Sequence, residues 1–62
     1  MTRNVAAEVV LDIQETRKLR AITAVKAEKM IAYVQANPAE IDGYRAGGMR
    51  IAAITDLVRN LV

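Results

Sequence analysis

Two pairs of carboxylates stand close enough along the chain to share a ligand: Glu8 with Asp12, and Glu40 with Asp42. The first pair is spaced i, i+4, which puts both groups on one face of a helix, where they could touch a divalent cation. One such pair cannot supply the roughly six oxygen ligands that calcium or magnesium takes, so a solvated helix face is the stronger reading. Gly47-Gly48, flanked by Arg45 and Arg50, has the makings of an anion cradle at a helix N-terminus. No G-x-x-x-x-G-K-[ST] pattern accompanies it, and a bare helix-to-helix turn accounts for the same residues. Acid–base catalysis has no histidine to use, and nucleophilic catalysis no cysteine. The hydroxyls are those of Thr2, Thr16, Thr23, Thr55, Tyr33 and Tyr44, and none stands beside a lysine or carboxylate in a recognisable nucleophile pair. Structural zinc lacks ligands for the same reason. The sequence predicts no enzyme, no metal, no cofactor and no small-molecule substrate.

The elements that would carry these residues are limited by length. Sixty-two residues make a single domain, 1–62. A chain this short gains roughly 90 kcal/mol from apolar burial and loses roughly as much on ordering, so small domains commonly add a staple. Disulfides and zinc are excluded here, and the chain has no Phe or Trp to anchor a core. It is nevertheless 53% hydrophobic. That combination predicts a homo-oligomer or a protein partner. Glu8 and Asp12 interrupt the first apolar stretch as a signal peptide would not allow, and the longest uncharged run is far shorter than the roughly 20 residues a bilayer needs. The expected location is cytoplasmic, away from the membrane. A net charge of +2 is too small for a polybasic protein.

Punctuation is confined to one stretch. Asn37 to Gly48 holds the only proline and all three glycines, and the 36 residues before it hold neither. Asn4 is a natural N-cap, and Val5, Ala6, Val9, Val10 and Ile13 form a helical stripe. The polar run E-T-R-K-L-R, residues 15–20, is either the exposed middle of one helix over about 5–36 or a soft corner with Thr16 capping a second helix. A continuous helix would run about 48 Å, too long for this chain to bury against itself, and would imply an intermolecular bundle. The broken form implies a compact one. Leu19, Ile22, Met30, Tyr33 and Val34 gather on one side of the next stretch, with Ala24, Ala27 and Ile31 adjoining. Lys26 lies within this apolar arc, its stem packed and its ammonium reaching outward. Asn37-Pro38-Ala39-Glu40 signals a helix start at about 38, with Asn37 as cap, Pro38 at the first position and Glu40 reaching back. That helix runs to about 46 and Gly47-Gly48 turns the chain. A last helix over about 49–62 should bury Ile51, Ile54, Leu57, Val58 and Leu61. The fold class is all-α.

A helix-turn-helix does not fit. A turn at Gly43 leaves Gly47-Gly48 inside the recognition helix, and a turn at Gly47 puts Asp56 where an apolar residue is needed. The basic residues form no single stripe, and Glu15 and Glu28 lie among them. Yet Arg17, Lys18, Arg20, Lys26 and Lys29 place five cations within 13 residues, enough to hold a phosphate backbone if a dimer presents them.

The corner also resembles a known family. N-P-x-x-I-x-x-Y-R-x-G, carried by Asn37, Pro38, Ile41, Tyr44, Arg45 and Gly47, is similar to a segment of the helical tail domain of the tRNA-dependent amidotransferase B subunit, shared with YqeY-like proteins. The similarity covers about a dozen of the 62 residues. Gly48 stands where the family has a lysine, and A-I-T-D-L-V-R-N-L-V replaces a glycine-rich stretch. The resemblance implies a small helical module contacting tRNA, with Arg45 as the contact.

Taken together, the residues point to a non-catalytic helical interaction module, a regulator or adaptor that associates with itself and with a protein partner. The expected interface is Val9, Val10, Ile13, Met30, Ile31 and Tyr33, whose alternative role is the chain's own core. The competing expectation is nucleic-acid binding through Arg17, Lys18, Arg20, Lys26, Lys29 and Arg45.

Overall fold

Four helices span the described residues of the computed structural model, which are 4–62: α1 (Val5–Lys18), α2 (Ala24–Ala36), α3 (Pro38–Ala46) and α4 (Ile51–Leu61). Thr2, among the hydroxyls considered above, lies outside them. No strand occurs among these residues, so the all-α expectation holds.

The N-terminal half takes the broken form. The Asn4 Oδ1 accepts from the Ala7 N–H at 3.1 Å and starts α1 as expected. The helix then stops at Lys18 without a glycine. Arg20 N–H donates to the Arg17 carbonyl at 2.9 Å and Ala21 N–H to the Thr16 carbonyl at 3.1 Å, with Arg20 in the left-handed region at φ 61°. This is the paired-bond helix ending usually built on glycine. Thr16 is not the cap of the second helix, because its hydroxyl donates to the Asp12 carbonyl within α1. Thr23 is the cap, its Oγ1 accepting from Lys26 N–H at 3.1 Å. Leu19, expected on the apolar side, is 80% exposed because it falls in the linker.

Why the chain folds back follows from the apolar residues themselves. Val9 and Ile13 of α1, Ala27, Met30 and Val34 of α2, Ile41 of α3, and Ile54 and Val58 of α4 form one buried core. A single long helix would have kept Val9 and Ile13 apart from Ala27, Met30 and Val34, and tertiary burial outweighs the local preference to continue. α1 packs against all three other helices. The Cα radius of gyration is 10.7 Å, close to the roughly 10.6 Å expected for a packed chain of this length. One chain therefore closes its own core.

The second corner differs from expectation in its chemistry. Pro38 occupies the first turn of α3, but Asn37 makes no side-chain cap to it. Asn37 instead turns its amide back and donates to the Tyr33 carbonyl at 2.9 Å, closing the end of α2. Glu40 does not reach back to Asn37, because both its oxygens are taken by tyrosines. α3 contributes one buried side chain, Ile41, whose burial supplies about 1.5–3 kcal/mol. At its far end Gly48 N–H donates to the Arg45 carbonyl at 3.0 Å and Met49 N–H to the Tyr44 carbonyl at 3.1 Å, with Gly48 at φ 97°. The helix ending of α1 is thus repeated, this time on glycine. α4 begins at Ile51 rather than 49, and it buries Ile54, Thr55 and Val58. Leu61 is 49% exposed, although Val62 beside it packs against the core.

Candidate interaction surfaces

The expected interface residues divide. Val9, Ile13 and Met30 are fully buried within the chain and are not available to a partner in this fold, because α2 folds back onto α1 and encloses them. Val10, Ile31 and Tyr33 are half-buried at the edge of the core. Val10 lines a concavity of about 560 Å³ with Ala6, Ala7, Leu11 and Gln14 of α1, Asn4, Gln35 of α2 and Pro38. Among the described residues, no charged side chain lines it. Leu11 stands at its wall, 61% exposed. Gln14 also lines a second, smaller hollow of about 190 Å³ with Arg17, Ala24, Ala27, Glu28 and Ile31, so the α1–α2 groove continues toward the linker.

Tyr33 is engaged elsewhere. Its O–H donates to one oxygen of Glu40 at 2.6 Å, and the Tyr44 O–H donates to the other at 2.5 Å. One carboxylate so joins α2 to α3 and ties α3 across its own turn. The hydrogen bond to Glu40 first, then desolvation and the charges of Glu40 and Tyr44, push Tyr33 up to about 12. Tyr44 moves in the same direction, mainly through its own bond to Glu40. Glu40 is held below the usual carboxylate range by the bonds from Tyr33 and then Tyr44, against a smaller opposing effect of desolvation. The two tyrosines and their carboxylate form a clamp on the corner.

The basic residues also divide. Arg17, Lys18 and Arg20 line a concavity of about 500 Å³ with Ala21, Ile22, Thr23 and Ala24, where α1 passes to α2. A neighbouring one of about 470 Å³ shares Ala21, Ile22 and Thr23 and adds Lys26, Arg59 and Asn60. Lys26 donates to the main-chain oxygen of Val62, which brings the end of α4 to the start of α2. Arg59 is not among the residues expected from the sequence. No local spacing links it to Arg17, and only the long-range meeting of α4 with α2 places it there. Lys29 lines neither concavity. Arg45 belongs to the α3–α4 corner, where its guanidinium donates to the Met49 carbonyl at 3.1 Å.

Of the carboxylate pairs, Asp12 lines a hollow of about 210 Å³ with Thr16, Ile22, Met30, Ala52, Thr55, Asp56 and Arg59. No three metal-ligating side chains cluster among the described residues. Thr55 is 6% exposed, and its Oγ1 is buried without a hydrogen-bond partner among the described residues. None of the helices is long and apolar enough to cross a membrane, among the described residues. No family model, curated protein or solved structure matches the chain.

Proposed function

We propose that the protein is a non-catalytic helical interaction module whose contact surface is the groove between α1 and the α2–α3 corner. Its first partner is a second copy of itself, and through the paired faces it serves as a regulator or adaptor. The observation that supports this reading is Leu11, a large apolar side chain 61% exposed on the wall of a concavity that no charged side chain lines among the described residues. A projection and a hollow on the same surface are self-complementary under two-fold symmetry, so each Leu11 enters the other chain's groove. From the expected interface, Val10 lines this concavity and Ile31 lines the smaller hollow that continues it past Gln14.

A standard interface covers about 800 Å² per partner, nearly a fifth of this chain's 4338 Å² surface. The groove and Leu11 provide only part of that, so the pairing is concentration-dependent rather than permanent. Molar mass by light scattering, at about 10 and about 500 µM protein, tests it. The mass should rise from one chain toward two and should respond little to salt, since no charged side chain lines the concavity among the described residues. Leu11→Gln removes the projection at an exposed position and should hold the mass at one chain with helicity unchanged. A wild-type chain that stays monomeric at the higher concentration overturns the reading.

A further inference from the structure

The chain builds the same helix ending twice and fills its key position differently. After α3 the left-handed position belongs to Gly48, which adopts it at no steric cost. After α1 it belongs to Arg20, at φ 61°. A residue with a Cβ costs roughly 1–2 kcal/mol there, and arginine has no short polar group to offset the strain. In a domain of this size that is a large concession. Arg20 makes no side-chain hydrogen bond or ion pair among the described residues, so no structural contact compensates for it. Its side chain lines the exposed concavity where Arg17 and Lys18 also stand. Sparsely populated backbone of this kind clusters at functional sites.

We propose that this end of the bundle binds the phosphate backbone of a nucleic-acid duplex, gripped by Arg17, Lys18, Arg20, Lys26 and Arg59. These cations come from α1, the linker, α2 and α4, and they surround the two concavities that share Ala21 to Thr23. Three are arginines, whose planar fork suits phosphate oxygens. α2 starts in their midst with no acidic residue in its first turn, which leaves its positive end uncompensated. The carboxylates nearby are held loosely or stand apart. Glu15 is 3.7 Å from Lys18, Asp56 is 3.8 Å from Arg59, and all four side chains are more than half exposed. Glu28 and Asp12 line adjoining hollows with Arg17 and Arg59 without pairing to them. A single strand is the poorer fit, because base stacking needs an aromatic platform and both tyrosines are tied to Glu40 at the other corner. The contact is with backbone and is independent of sequence.

The test is fluorescence anisotropy of a labelled random-sequence DNA duplex titrated with the full chain. Five engaged cations give a salt slope near −4.5, so affinity should fall about 500-fold between about 50 and about 200 mM salt. Arg17→Gln should weaken binding about 5-fold at low salt and reduce the slope by about 0.9. Arg20→Gly is the decisive variant. It should raise the melting temperature, because the strain is relieved, and at the same time weaken binding by a similar factor. Arg45→Gln, at the other corner, should leave affinity unchanged. The proposal is overturned if no binding occurs at low salt, if Arg20→Gly binds as the parent does, or if Arg45→Gln weakens binding equally. It is also overturned if polyglutamate displaces the duplex charge for charge, since the surface would then accept an acidic protein in place of phosphate.

Discussion

Replacing Thr55 with valine should stabilise the fold. Thr55 is 6% exposed and its hydroxyl finds no partner among the described residues. Thr16 shows the usual solution, its hydroxyl donating to the carbonyl of Asp12 four residues earlier at 2.8 Å. Thr55 makes no such bond. A buried hydroxyl left unsatisfied costs about 1–3 kcal/mol, and valine removes it while keeping the branched shape. The added methyl gains up to about 0.8 kcal/mol by burial, and the helix propensities of the two residues are nearly equal. Taking the lower part of the range, because a buried hydroxyl relaxes, we expect a gain of about 1–2 kcal/mol. For a domain of this size that raises Tm by roughly 5–15 °C. Circular dichroism during heating and in urea would measure it, with the midpoint rising and the slope m unchanged. Thr55→Ser keeps the hydroxyl, loses the methyl, and should destabilise. If Thr55→Val is neutral or worse than the parent, the hydroxyl has a partner, such as a bound water, and the reasoning fails.

Gly43 lies inside α3, and a Cβ built there meets nothing within 4 Å, so Gly43→Ala should add about 0.5–1 kcal/mol, visible as a higher urea midpoint. The tyrosine–carboxylate clamp makes stability depend on pH at both ends of the scale. Glu40 is lowered in the folded state, so its contribution is present above the unfolded value of 4.5 and is lost as the pH falls through the folded one. Tyr33 is raised, so its contribution is present below 10.0 and is lost as the pH rises toward about 12. Glu40→Gln should flatten both limbs of a plot of Tm against pH, and unchanged limbs would show that the clamp carries no linkage.

The helices were legible where local chemistry decides them. Asn4 as a cap, Pro38 at a first turn and Gly47-Gly48 as a corner each act within four residues, and each stands where expected. The break at 19–23 left two readings open, because its left-handed residue is an arginine and not the glycine that usually marks such a turn. Asn37 and Glu40 carry the right types for a capping box, but Tyr33 and Tyr44 compete for Glu40, and that competition depends on how α3 lies against α2. The surfaces were legible only in part. Val10 and the Arg17–Arg20 cluster could be named from spacing, whereas Leu11 and Arg59 acquire their meaning from contacts between distant segments.

Three residues break a local rule in this small domain: Thr55 hides a hydroxyl, Gly43 loosens a helix, and Arg20 strains a turn. Each correction should stabilise, and sites without shared partners should add nearly independently. They differ in what the correction removes. Thr55→Val and Gly43→Ala take no exposed charged or apolar group from either proposed surface, so neither duplex affinity nor pairing through Leu11 should change. Arg20→Gly takes a cation from the centre of the basic end. A natural sequence tolerates local inconsistency mostly where another requirement outweighs it. Of the three, only the arginine has a requirement in view, because the same chain shows at Gly48 that the unstrained solution is open to it. Combining all three substitutions and then restoring arginine at position 20 alone should therefore return duplex binding in a chain that remains more stable than the parent. If binding stays weak after that restoration, position 20 is not what the strain serves.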